Sequence, residues 1–216
     1  MKRHKIKLRV LTFLIVSVGI IIASVLWIAN ITSKQEKNLK ASETCSEEIF
    51  TGDVEVLERL ISVDTSFKSH WSRRATDSYL KLTCDNFTSS GSVRMYTEMR
   101  DGNRADWVSS LEKHDQAGRE SNASRFKSGT EGLAWNNSAA IYAKCKLYSK
   151  GSSHTSGMQH PYLSVVITAS GSSRAKDNEN REDLAYLASK MLLEAKLQTG
   201  CQELSAVPSG PPQLDQ

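Results

Sequence analysis

Twenty consecutive residues, Val10 to Ala29, carry no charge, and their only polar members are the small hydroxyls Thr12, Ser17 and Ser24. At 1.5 Å of rise per residue a helix of that length reaches roughly 30 Å, the hydrocarbon thickness of a bilayer. A helix apolar all round has no polar face to meet water, which disfavours reading the run as a buried core helix. A cleavable secretory signal has an apolar region of about 7–15 residues ending in a small-residue cleavage site. This run is longer, and its exit, "WIANITSKQ", offers no clean site. Trp27 suits the headgroup level, where an indole keeps one side apolar and one side wet. Residues 10–31 are therefore expected to stay as a single-pass transmembrane anchor whose partner is membrane lipid.

The flanks set its direction. Lys2, Arg3, Lys5, Lys7 and Arg9 precede the run with no acid among them, while Lys34, Lys37 and Lys40 follow it with Glu36. The more basic flank stays in the cytoplasm. Residues 1–9 are expected to be cytoplasmic and everything after residue 31 extracytoplasmic, at the cell membrane. The formal charge of +4 comes from 28 Lys and Arg against 24 Asp and Glu, and five of those cations lie in the first nine residues. The rest holds 23 cations against 24 acids, a balance that predicts no nucleic-acid partner.

Cys45, Cys84, Cys145 and Cys201 all follow the apolar run. An even number on the oxidising side of a membrane predicts two disulfides. Three connectivities are open; Cys45–Cys84 with Cys145–Cys201 is favoured because it closes one bond in each half of the domain. No pair has the C-x-x-C spacing of redox or zinc chemistry.

Residues 32–44, "TSKQEKNLKASET", read as a polar stalk, and residues 204–216, with three of the four prolines, as a disordered tail. One extracytoplasmic domain is expected over 45–203. "DVEVLERLI" carries a helical stripe of Val54, Leu57, Leu60 and Ile61. "YLKLTC", "SVRMYTEM", "IYAKCKLY" and "YLSVVITA" alternate as half-buried strands, with Ile141, Ala143, Cys145 and Leu147 inward and Tyr142, Lys144, Lys146 and Tyr148 outward. Glu182 to Thr199 forms the strongest helix, with Leu184, Leu187, Ala188, Met191 and Ala195 on its core stripe. Element order repeats: strand, turn ("ATDS", then "WNNS"), cysteine-bearing strand, strand, helix, over about 66–115 and 131–199. The fold class is α+β, an antiparallel sheet with helices on one face. Between the halves, "QAGRESNASRFKSGTEG" reads as a mobile loop.

A basic tail, one apolar run, Cys45 just before "EEIFTGDVEVLERLI", then "LKLTC", "YAKCKLYS" and "LLEAKLQTGC" together resemble a group of uncharacterised actinobacterial membrane-anchored extracytoplasmic proteins with four cysteines. The resemblance implies a cell-surface domain of unknown role and carries over no functional residue.

The chemistry-bearing motifs are sparse. S-x-x-K occurs at Ser78/Lys81, Ser110/Lys113, Ser124/Lys127 and Ser173/Lys176, without the S-D-N and K-T-G boxes that make it catalytic. "HTSGMQHP" brings His154, Met158 and His160 together, a set that would suit copper, although a plain polar hairpin loop explains it more simply. No cofactor motif is present. Trp71, Trp107 and Trp135 with Tyr79, Tyr96, Tyr142 and Tyr148 could line an uncovered sheet face as a contact patch. The expected function is a binding or interaction module at the cell envelope. The alternative is an envelope hydrolase with a scattered Ser/His set drawn from His70, His154 or His160.

Overall fold

Nine-residue strands pair end to end at the start of the domain. Lys68–Thr76 (β1) runs antiparallel to Tyr79–Phe87 (β2), from Lys68↔Phe87 to Thr76↔Tyr79. The computed structural model describes residues 39–45, 47–50, 53–76, 79–113, 118–128, 130–145, 157–171, 176–199, 201 and 210–215. Residues 10–31 and the basic stretch before them lie outside these, as do Tyr148 and His154. Among the described residues no helix is long and apolar enough to cross a membrane.

The remaining strands are Gly91–Asp101 (β3), Ser124–Phe126 (β4), Glu131–Ala134 (β5), Ser138–Lys144 (β6), Pro161–Gly171 (β7) and Leu214–Asp215 (β8). With β1 and β2 they form one antiparallel sheet in the order β1-β2-β3-β7-β6-β5-β4-β8. Its longest pairing is β3–β7, in register from Gly91↔Gly171 to Asp101↔Pro161. The helices are Glu47–Phe50 (α1), Val54–Leu60 (α2), Arg104–Lys113 (α3) and Asp177–Thr199 (α4). The expected strand-strand-strand-helix repeat is present as β1-β2-β3-α3 and β5-β6-β7-α4. The tight "WNNS" connection is closed by the Trp135 N–H donating to the Ser138 carbonyl at 2.7 Å.

One face of the sheet carries the main core. Leu80, Leu82 and Cys84 of β2, Val93, Met95 and Met99 of β3, Ile141 and Ala143 of β6, and Leu163, Val165 and Ile167 of β7 pack there with α2 and α4. The Arg59 guanidinium grips the Asp183 carboxylate through two hydrogen bonds of 2.6 and 2.8 Å, tying α2 to α4. The Asp53 carboxylate adds a second tie by accepting from the Tyr186 hydroxyl and meeting Lys190.

The expectation that helices cover one face only is corrected by α3. Its Trp107 and Leu111 pack on Leu133, Ala140, Tyr142, Tyr162 and Val166, and these strand residues alternate with those of the main core. They therefore point from the opposite side, so β5, β6 and β7 are covered on both faces. The chain crosses over at Gly102, whose φ of +136° is a left-handed-side conformation that suits glycine. A capping box then starts α3. Asn103 Oδ1 accepts from the Ala105 and Asp106 amides, and Asp106 Oδ2 accepts from the Asn103 amide.

The sulfurs pair as Cys45–Cys84 and Cys145–Cys201, with Cα separations of 5.4 and 5.0 Å. Two segments read from sequence as loose are built into the sheet. Residues 118–128 and 130–132, from the loop between the halves, contain β4 and the start of β5. Residues 210–215, from the expected disordered tail, bury Pro212, rest Leu214 against the main core and pair with β4 as β8.

Candidate functional site

Because α3 covers only the β5–β7 half, no helix among the described residues lies on the same face of β1, β2 and β3. The register aligns its side chains in rows that run across the strands: His70–Asp85–Arg94, Ser72–Thr83–Tyr96 and Arg74–Lys81–Glu98. Thr168, Val166 and Ser164 continue these rows on β7. Alternation dictates this composition, since every second residue of β2 and β3 is spent on the main core.

The rows hold organised electrostatics. Arg94 Nε donates to Asp85 Oδ1 at 2.6 Å. The Tyr96 hydroxyl donates to Glu98, and the Arg100 guanidinium pairs with the other oxygen of the same carboxylate. Lys81 Nζ sits 5.3 Å from the centroid of the Tyr96 ring, a cation–π distance. Burial holds the Tyr96 and Tyr162 hydroxyls above the ordinary tyrosine range, and nearby Arg100 pulls each partly back. Both are therefore neutral hydroxyls near neutral pH. Tyr79, 40 % exposed, stands at the end of β2 on this face.

Of the residues expected to form an aromatic contact face, the structure brings Tyr79 and Tyr96 together. Tyr142 is corrected: it is only 4 % exposed, wedged between Trp107 and Tyr162 at ring-centroid distances of 5.7 and 4.9 Å. Its outward side of β6 is a second core because α3 lies on it. Trp107 and Trp135 are likewise buried, the latter donating from Nε1 to the Arg119 carbonyl at 2.9 Å. Trp71 packs against the main core on the other side of the sheet.

The described metal and hydrolase candidates, Met158, His160 and His70, have separate surroundings. Met158 packs against the main core, while His160 is exposed and its backbone N–H donates to Asp101 at 2.6 Å. Among the described residues no three His, Cys, Asp or Glu side chains converge. His70 is exposed on β1, across from Asp85, and the four cysteines are all in disulfides.

Away from the open face, at the β4–β5 end of the sheet, Arg104 of α3 and Arg125 of β4 alternate with Glu120 and Glu131. Arg104 forks onto both oxygens of Glu131, at 2.5 and 2.7 Å, and also meets Glu120. Arg125 reaches the same two carboxylates at 2.5 and 2.6 Å. The hydrogen bond from Arg104 holds the Glu120 carboxyl below its ordinary range, and the two carboxylates hold the Arg104 guanidinium above its own. The charges cancel, so the cluster pins the 118–126 segment to α3 and β5. This square is not legible in any short stretch of sequence because its members lie up to 27 residues apart, whereas β1 falls where the repeat places a strand, ahead of the "ATDS" turn, although "KSHWSRRAT" lacks an apolar alternation. No protein family, no curated protein and no solved structure matches this chain.

Proposed function

We propose that this chain is a membrane-anchored extracytoplasmic interaction module that contacts its partner through the open face of β1, β2 and β3. One observation carries the reading: among the described residues a single sheet is covered on both sides at β5–β7 and on one side only at β1–β3. The bare part presents tyrosines, an ordered carboxylate and several cations in fixed rows, a composition suited to an interface. The uncharged run at 10–29, the basic residues before it and the paired cysteines support the anchored, extracytoplasmic setting.

The test places a photo-crosslinking amino acid at Tyr79, on the open face, and separately at Leu197, 72 % exposed on α4, in full-length chain expressed in its own cells. Adducts from position 79 and none from position 197 are expected, in the membrane fraction and sensitive to protease added outside. Equal adducts from both positions, or recovery in the soluble cytosol, would refute the reading.

A further inference from the structure

The two ends of the sheet are finished differently. At one end the short β4 is covered by the chain's own residues, Leu214–Asp215, as β8. At the other end β1 pairs with β2 along one side, and among the described residues no strand lies on its other side. At about 3.3 Å per residue its nine residues offer an edge of roughly 30 Å, with every second amide and carbonyl pointing away from β2.

This edge has one sign of charge. Lys68–Thr76 holds Lys68, Arg73 and Arg74, with His70, and no acid. Arg74 lies directly across from Lys81, an arrangement of like charges that weakens a strand pair. Glu98 stands on the far side of Lys81, but its oxygens are engaged by Tyr96 and Arg100. Among the described residues no ion pair reaches Lys68, Arg73, Arg74 or Lys81. A stretch whose backbone seeks a strand and whose side chains seek anions is suited to one class of ligand.

We propose that β1 is an acceptor edge that takes an extended acidic peptide of a partner protein as a further strand of the sheet. The peptide's main chain completes the ladder. Its acidic side chains, recurring at every second position, meet Arg74 and Lys81 on the open face, and an acid of opposite parity meets Arg73 on the other. A second copy of this chain does not fit, because pairing β1 with β1 would bring two strands of cations together without an acid. The proposal rests on the interaction-module reading and specifies its ligand.

The test uses the full chain in detergent micelles and a nine-residue peptide alternating threonine and glutamate. Binding is read by fluorescence anisotropy, and the location by hydrogen exchange at the β1 amides. The acidic peptide is expected to bind and to slow exchange of alternate β1 amides at least tenfold. The matching threonine–lysine peptide is expected not to bind, and a version N-methylated on its ladder-forming amides to bind at least tenfold more weakly. Arg73→Glu with Arg74→Glu should cost at least tenfold in affinity while the urea midpoint does not fall, since a glutamate across from Lys81 removes the like-charge pair. Failure of the acidic peptide to bind would overturn the proposal, as would undiminished binding of the N-methylated peptide, or equal protection of β1 by heparin. If the peptide fails while crosslinks from position 79 persist, the edge proposal falls and the interaction-module reading stands.

Discussion

Replacing Trp107 with alanine tests whether α3 is held to the sheet by one side chain. The helix has ten residues, too few to persist alone in water, and its buried residues are Trp107 and Leu111. Trp107 is fully buried against Tyr142. A tryptophan buries about 150–250 Å², worth about 4–6 kcal/mol at 25 cal/mol per Å². Its Nε1, however, has no hydrogen-bond partner among the described residues, which costs the folded state about 1–3 kcal/mol. Truncation removes both terms, so Trp107→Ala should destabilise by about 1–5 kcal/mol, centred on about 3, a large part of a domain's ordinary stability. Trp107→Phe keeps an aromatic ring and discards the unsatisfied N–H, and should lie within about 1 kcal/mol of the parent. Urea unfolding followed by far-UV circular dichroism, with the disulfides intact, gives both values. Hydrogen exchange should show α3 amides opening first in the alanine variant. A loss below about 1 kcal/mol for alanine would refute the anchoring argument; equal losses for alanine and phenylalanine would show that the indole N–H is satisfied.

Three further outcomes are expected. A Cβ built on Gly132 would lie 2.4 Å from the Phe126 ring of the paired strand, so Gly132→Ala should lower stability by about 1–3 kcal/mol, and adding Phe126→Leu should recover part of it in the same urea assay. Cys145→Ser with Cys201→Ser opens a bridge between residues 56 apart in sequence; calorimetry should show a loss of up to about 4 kcal/mol, and reductant should destabilise the parent more than the variant. The Glu120 carboxyl is depressed below its ordinary 4.5 chiefly by the Arg104 hydrogen bond, so its contribution is complete above pH 4.5 and is lost as pH falls through the lower folded value. Stability measured down the acid limb should fall less steeply in Glu120→Gln than in the parent.

Local pattern carried far in the main core and failed at the second. Leu80, Leu82 and Val93 were legible because alternation marks a buried face, and so was the stripe of α4, although burial there extends past the stripe to every residue from Asp183 to Ser189. Tyr142 was misread for the same reason. Its alternation with Ile141 and Ala143 looks identical whether the polar-looking side meets water or a helix that arrives from 30 residues earlier. The segment 118–128 looked loose since it has few apolar residues, and its order comes from two arginines and two glutamates that no short window contains. The tail holding Pro212 was unreadable because a strand as short as β8 gains stability only from the edge that receives it.

What the chain's own order of residues determined was the inventory: an uncharged run of bilayer length, two three-strand units each closed by a helix, and two cysteines for each half. These follow from composition and periodicity, which act over a few residues. Which face α3 would cover, and which half and which edge of the sheet the described residues would leave uncovered, were decided only on folding. Each depends on contacts between segments far apart in sequence, where burial is a property of the assembled layers and not of any one strand.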